Sequence, residues 1–211
     1  MRAIAISPEH YRSQAAILDR MHQLRARVFH DRLNWDVKVR DGREHDEFDL
    51  CQPTYILVVD ARETVVGTVR LLPATGPTLL SVLFPELRGQ GLFRPHAGMI
   101  ESSRFCVDTS VTTAYEPGEQ GQALHSATWT LFAAIIEWSM ANGYGELITA
   151  TDLRIERILR RAGWPMARIG EPKPIGNTKA VVGLLPTDRT SFAVVRPADY
   201  SPIVRPARQA A

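Results

Sequence analysis

Arg70 is the residue that most limits how this chain can fold. It lies inside Thr64-Val-Val-Gly-Thr-Val-Arg-Leu-Leu72, whose β-branched and apolar content predicts a strand. The run Tyr55-Ile-Leu-Val-Val59 predicts another, with Asp60 to Glu63 as the hairpin turn between them. A guanidinium within such a strand needs a carboxylate partner or an exit to solvent, because an unpaired buried charge is strongly disfavoured. Carboxylates stand close by in Glu44-His-Asp46-Glu47-Phe-Asp49. The same cluster would also suit a solvated loop, so the pairing is an expectation to be tested.

The rest of the chain predicts strands and helices around that hairpin. Residues 2–6 alternate as a short strand. Ile17, Leu18, Met21, Leu24 and Val28 recur every three or four residues, which predicts a helix from about 10 to 31. Arg25 and Phe29 share a face beside this stripe, where Arg25 suits solvent equally well. From Trp35 to Pro53 no period is sustained, and Asp41-Gly42 signals a turn, so a long ordered loop is expected. Glycines and prolines over 85–98 predict a mobile loop, and Ile100 to Val107 a strand. A helix is predicted from Leu124 to Met140, ending at Asn142-Gly143, then a strand over 146–150. Thr151 and Asp152 are suitable caps for a further helix, which carries Arg154, Arg157, Arg160 and Arg161 outward. Strands over 179–185 and 191–195 complete the set. The order implies an α/β domain with a mixed, mostly antiparallel sheet flanked by helices over residues 1–195. The proline-bearing tail, 196–211, is expected to be poorly ordered.

Composition narrows the function classes. A net charge of +2 argues against a general nucleic-acid partner. No stretch reaches the ~18 apolar residues of a membrane span, and the N-terminus lacks a secretory apolar run. Cys51 and Cys106 are too few and too far apart for a disulfide framework or a CxxC metal site. The histidines have no H-x3-H or H-E-x2-H spacing, so no metal is expected. These readings together predict a reduced, cytoplasmic, soluble protein.

The charged constellation suggests chemistry. Asp46 and Asp49 suit a cationic substrate, and Phe29 and Trp35 a flat ring or cation. Arg25, Arg70 and Arg104 suit a carboxylate and would keep the acids ionised. Glu101 is a candidate general base. In a regular strand residues 101 and 104 point to opposite faces, so both line one site only if the strand bulges near Ser102–Ser103. Arg88-x2-Gly91 is similar to the phosphate-cradling start of acyl-CoA acetyltransferases, but Phe93 breaks the pattern and the segment precedes the strand it should follow.

Taken in order, Arg25, Phe29, Trp35, Asp46, Asp49, Arg70, Phe84, Glu101 and Arg104 closely resemble the recurrent residues of the acyl-homoserine-lactone synthases, the LuxI-type autoinducer synthases, over roughly residues 1–186. Ile100 departs from them, standing where the family often has Trp. The resemblance implies a GNAT-like fold with a bulged central strand. It also implies acylation of S-adenosylmethionine by an acyl thioester, then lactonisation with release of 5′-methylthioadenosine. S-adenosylmethionine would be a co-substrate, with no cofactor. On that basis Glu101, Arg104 and Arg70 serve catalysis, and Arg25, Phe29, Trp35, Asp46, Asp49, Phe84 and Arg104 bind S-adenosylmethionine. Backbone N–H groups around Phe105–Val107 face the thioester carbonyl. Met99, Phe105, Val107, Leu124, Trp129, Leu147, Ile148, Thr149 and Thr151 line the acyl chain, and Thr151 matches a position where Thr accompanies 3-oxo-acyl substrates. Arg154, Arg157, Arg160 and Arg161 dock acyl carrier protein or meet the phosphates of acyl-CoA. Two rivals remain at this stage: a GNAT-type N-acyltransferase for another amine, and a non-catalytic protein that binds S-adenosylmethionine or an acyl chain.

Overall fold

A computed structural model of the protein describes residues 1–85, 94–109 and 126–204. In chain order its elements are β1 (Arg2–Ile6), α1 (Ala15–Arg25), β2 (Val39–Arg40), β3 (Arg43–Glu44), β4 (Thr54–Val59), β5 (Val65–Pro73), α2 (Leu79–Leu83), β6 (Met99–Val107), α3 (Ser126–Ala141), β7 (Glu146–Asp152), α4 (Leu153–Arg161), β8 (Ala167–Ile175), β9 (Thr178–Pro186) and α5 (Arg189–Val195). A seven-stranded sheet runs β1-β4-β5-β6-β7-β9-β8 and is antiparallel except where β6 meets β7.

The helix expected over 10–31 is three pieces. A 3-10 turn at Pro8–His10 leads into α1, which buries Ile17, Met21 and Leu24. Past Arg25 the coil widens into a π-helix, Ala26–Arg32, with Leu33 N–H donating to Val28 C=O at 3.0 Å. Wider turns shift the facing of every later side chain, and Val28 and Phe29 both end up buried. The expected loop over 35–53 holds a small hairpin, β2–β3, whose turn residues Asp41 and Gly42 have φ of 51° and 72°. A 3-10 turn follows at Glu47–Cys51, capped by Asp46.

Two elements differ from expectation. Residues 191–195 form part of a helix, because the Asp188 carboxylate caps it by accepting the Ser191 N–H at 2.7 Å and Val195 enters the core. Strand β8 was not among the expected elements, and it holds two prolines, Pro172 and Pro174. It is an edge strand, where a missing N–H costs no ladder bond.

One face of the sheet packs on α3 through Val69, Ile100, Leu131, Phe132 and Ile135. The other face carries two separate apolar clusters. Met21, Leu24, Phe29, Leu57 and Cys106 form one under α1, and Leu80, Phe84, Met99, Ile148 and Val182 form the other under α2. Beyond α5 the chain turns back onto α3. The Tyr200 hydroxyl donates to the Glu137 carboxylate at 2.7 Å and the Ile203 N–H at 2.9 Å, so residues 200–203 are tied down where a loose tail was expected. No described helix is long and apolar enough to cross a membrane.

Candidate active site

Between the two clusters on the α1 face, β6 changes register. Thr68 pairs with Cys106 but Arg70 pairs with Ser103, so β6 carries one more residue than β5 across this interval. Arg104, at φ +54°, is where the strand bends. The expected bulge therefore exists, displaced to Arg104. Ser103 and Arg104 both face the α1 side, where Ser103 Oγ accepts from Arg70 Nε at 3.1 Å and Arg104 pairs with Glu44 and Asp46. Phe105 points the other way, stacking on Phe132 at 5.4 Å. Glu101 and Arg104 thus share a face.

The three arginines meet three carboxylates there. Arg25 is wholly buried. It grips Asp49 with both terminal nitrogens at 2.8 and 2.9 Å and Glu44 with Nε. Arg70, also wholly buried, binds Asp46 and lies 3.0 Å from Asp49. Arg104 Nε donates to Glu44 at 3.1 Å, and its Nη2 lies 2.7 Å from Asp46 Oδ2 without hydrogen-bond alignment. The Tyr55 hydroxyl and the Asp46 N–H complete Asp49 at 2.8 and 2.9 Å. Burial by itself would raise the Asp49 carboxyl, but the Arg25 hydrogen bonds and the Arg25 and Arg70 charges carry it far below the usual range. Burial likewise opposes Asp46, and Arg70 and Arg104 overcome it. Among the described residues, Arg70 Nη2 is buried without a partner.

This arrangement answers the question left by the sequence. The acids are not a solvated face, and Arg25 is not a solvated helix residue. Asp46 and Asp49, the acids expected to suit a cationic substrate, are both engaged by arginines here. Both Asp49 oxygens are held by Arg25, so Asp49 builds the site. Glu44 was not foreseen as a site residue, because its burial depends on the β2–β3 hairpin read as loop. Phe48, under Arg70 at 5.5 Å, and Tyr55 were likewise not singled out.

Glu101 stands apart from the arginine ion pairs. Its two oxygens accept the N–H groups of Leu79 and Leu80 at 3.1 and 2.9 Å. Burial raises its carboxyl, against those hydrogen bonds and the Arg70 charge. Phe29 and Trp35 stack at 5.2 Å and 11°, with Arg104 over Phe29 at 5.7 Å. Phe84 is buried under α2 beneath Lys173.

Pairing of β6 with β7 runs from Met99–Glu146 to Ser102–Thr149 and stops, although both strands continue. The Thr149 hydroxyl donates to the Ser102 carbonyl at 2.9 Å on this last rung. The residues expected to line an acyl chain divide between the sheet faces. Met99 and Ile148 lie under α2, whereas Leu147, Val107 and Phe105 belong to the cluster under α3, against which that helix's own Trp129 packs. Thr149 is spent on Ser102, Thr151 pairs with Val181 of β9, and Leu124 lies outside the described residues. Arg154, Arg157, Arg160 and Arg161 are exposed on α4. His22, His45 and Asp49 bring ligand-type atoms within 4.8 Å, but the guanidiniums on Asp49 oppose a cation there.

A sheet with a bulged central strand beside a parting strand pair defines an N-acyltransferase-type fold. A solved N-acetyltransferase-like protein from Lactobacillus plantarum has a TM-score of 0.56 with this chain at 15% identity, covering 89% of this chain and 99% of that one. The autoinducer synthase model matches residues 9–195, and the chain belongs to that family. An acyl-homoserine-lactone synthase from Rhizobium radiobacter is 53% identical over the whole of both chains, and one from Aliivibrio fischeri 37% identical over 77% of this chain and 82% of its own. The solved synthase LasI has a TM-score of 0.75 at 29% identity, covering 92% of this chain and 93% of its own. The protein is an acyltransferase of the acyl-homoserine-lactone synthase kind.

Proposed function

We propose that the protein joins an acyl group to the α-amine of S-adenosylmethionine on the α1 face of β6, and that Glu101 takes the amine proton. The observation that carries this assignment of roles is the bulge at Arg104, which sets Glu101, Ser103 and Arg104 on one face beside the arginine–carboxylate network. A neutral amine attacks the thioester carbonyl, the amide bond forms, and the thiol leaves. The carboxylate oxygen of the methionyl part then attacks its own γ-carbon, and the C–S bond breaks to release methylthioadenosine and the lactone. A sulfonium is a good leaving group, so the second step needs orientation more than acid–base help.

Arg70 has a buried donor, Nη2, beyond those used by Asp46 and Asp49, and this supports a carboxylate-holding role. Phe29 and Trp35 supply a flat apolar wall for the adenosine. Past the Ser102–Thr149 rung β7 no longer pairs with β6, which supports this edge of β6 as the place where backbone N–H groups polarise a thioester carbonyl. The exposed arginines of α4 favour an acidic or phosphorylated acyl carrier, either acyl carrier protein or coenzyme A. The absence of an apolar spanning helix among the described residues accords with work in the cytoplasm on soluble substrates.

The test is purified protein with S-adenosylmethionine and a panel of acyl-carrier-protein and acyl-CoA thioesters, followed by mass spectrometry. Methylthioadenosine and lactone should rise together with at least one donor. An acylated amine without methylthioadenosine would contradict the lactonisation step, and binding without turnover would contradict the catalytic reading.

A further inference from the structure

The β8–β9 hairpin reaches both rims of the site. Along β8, Lys173 donates to the Leu83 carbonyl at 3.0 Å, at the end of α2. At the tip, Ile175 pairs with Thr178 across a turn of Gly176 and Asn177, with Gly176 at φ +55°. The Asn177 side-chain amide nitrogen donates to two successive carbonyls, Leu33 and Asn34, each at 3.1 Å. These carbonyls lie just past the π-helix, where the backbone turns sharply. Asn34 has φ +51°, and the Trp35 N–H returns to the Phe29 carbonyl at 2.8 Å. That return bond is what lays the Trp35 ring on Phe29, beneath Arg104.

We infer that Asn177 is a positioning residue for S-adenosylmethionine: by fastening the Leu33–Asn34 corner from across the sheet, it holds the Phe29–Trp35 wall in its stacked form. The inference rests on the reading of that pair as the adenosine wall. The N–H groups of the corner are tied within its own segment, Leu33 to Val28 and Asn34 to His30, each at 3.0 Å, whereas Asn177 reaches its carbonyls from a distant hairpin. The corner's left-handed residue and widened coil are local costs, and Asn177 satisfies two carbonyls that the α-helical ladder no longer reaches. One carboxamide group spans both because its NH₂ carries two protons.

The test compares wild type, Asn177→Asp and Asn177→Gln. Aspartate has the same shape but no proton to donate, and it sets a negative charge against two carbonyls. Glutamine keeps the donor on a longer arm. Methylthioadenosine binding is measured by calorimetry, KM and kcat are measured for both substrates, and the melting temperature is recorded. In Asn177→Asp the methylthioadenosine affinity should fall by about threefold to tenfold, the size of one or two neutral hydrogen bonds. The KM for S-adenosylmethionine should rise in step, with kcat and the acyl-donor KM within about twofold, and Asn177→Gln should recover part of the loss. Unchanged affinity in Asn177→Asp, with wild type binding normally, would overturn the inference. So would equal rises in both KM values with a lowered melting temperature, the mark of general loosening. Failure of wild type to bind methylthioadenosine would instead overturn the adenosine-wall reading on which the inference stands.

Discussion

Asp49 concentrates the electrostatics of the site in one side chain. It receives Arg25 twice, Arg70, Tyr55 and the Asp46 N–H. Removing one partner of a buried pair leaves an uncompensated charge, so Asp49→Asn should destabilise the fold by about 3–5 kcal/mol near neutral pH. Because the folded carboxyl titrates below its usual range, its contribution is complete above pH ~4 and fades as the pH falls through the folded value. Thermal melts of Asp49→Asn and wild type should therefore converge on acidification. A gap that persists or widens in acid would contradict the pairing. Arg104 carries a second residue-scale cost, since a non-glycine side chain at φ +54° is strained by about 1–2 kcal/mol. Arg104→Gly relieves that strain but removes one of the two arginines on Glu44 and on Asp46, leaving Arg25 and Arg70, and calorimetry should find it less stable than wild type. A gain in stability would mean that the ion pairs contribute little.

Elements differ in how far they could be read from sequence, and the differences have physical causes. The β4–β5 hairpin, α3, and α4 with its Asp152 cap follow local rules, and each is found within a few residues of its expected place. The π-helix, the burial of Glu44 and strand β8 depend on long-range contacts. A hydrophobic pattern does not by itself distinguish an α-helix from a π-helix, and here the widened coil Ala26–Arg32 is followed by Trp35 stacked back on Phe29. Strand β8 accommodates Pro172 and Pro174 because it lies at the sheet edge, and edge position is invisible in a single sequence. The charged set was legible as residues, and the need for a bulge was legible as geometry. Who pairs with whom was not, since Glu44, Asp46 and Asp49 are equivalent acids until the hairpin places them. On α4, reversing charge at Arg157 and Arg160 should raise the KM for a carrier-protein donor about tenfold at low salt, with methylthioadenosine binding unchanged. Steady-state kinetics at two ionic strengths would check this, and a KM insensitive to both charge and salt would remove α4 from docking.

Across the whole molecule, the two faces of the sheet do different work. The α3 face is one continuous apolar core, whereas the α1 face is split into two clusters with the charged network and Glu101 between them. An interruption of this kind weakens a core, and the ion pairs that fill it are held by elements far apart in sequence: α1, the β2–β3 hairpin, β5 and β6. The synthase thus places its strongest electrostatics where its sheet is least apolar, beside the strands that part. We propose that this interruption is the reaction site and Glu101 its base, and the turnover of Glu101→Gln, set against its affinity for S-adenosylmethionine, separates that role from a structural one. With Glu101 as base, kcat should fall by about a hundredfold or more while binding stays within about threefold, and the acid limb of wild-type activity should lie above the ordinary glutamate range because burial raises this carboxyl. Near-normal turnover in Glu101→Gln, or a loss confined to binding, would contradict it.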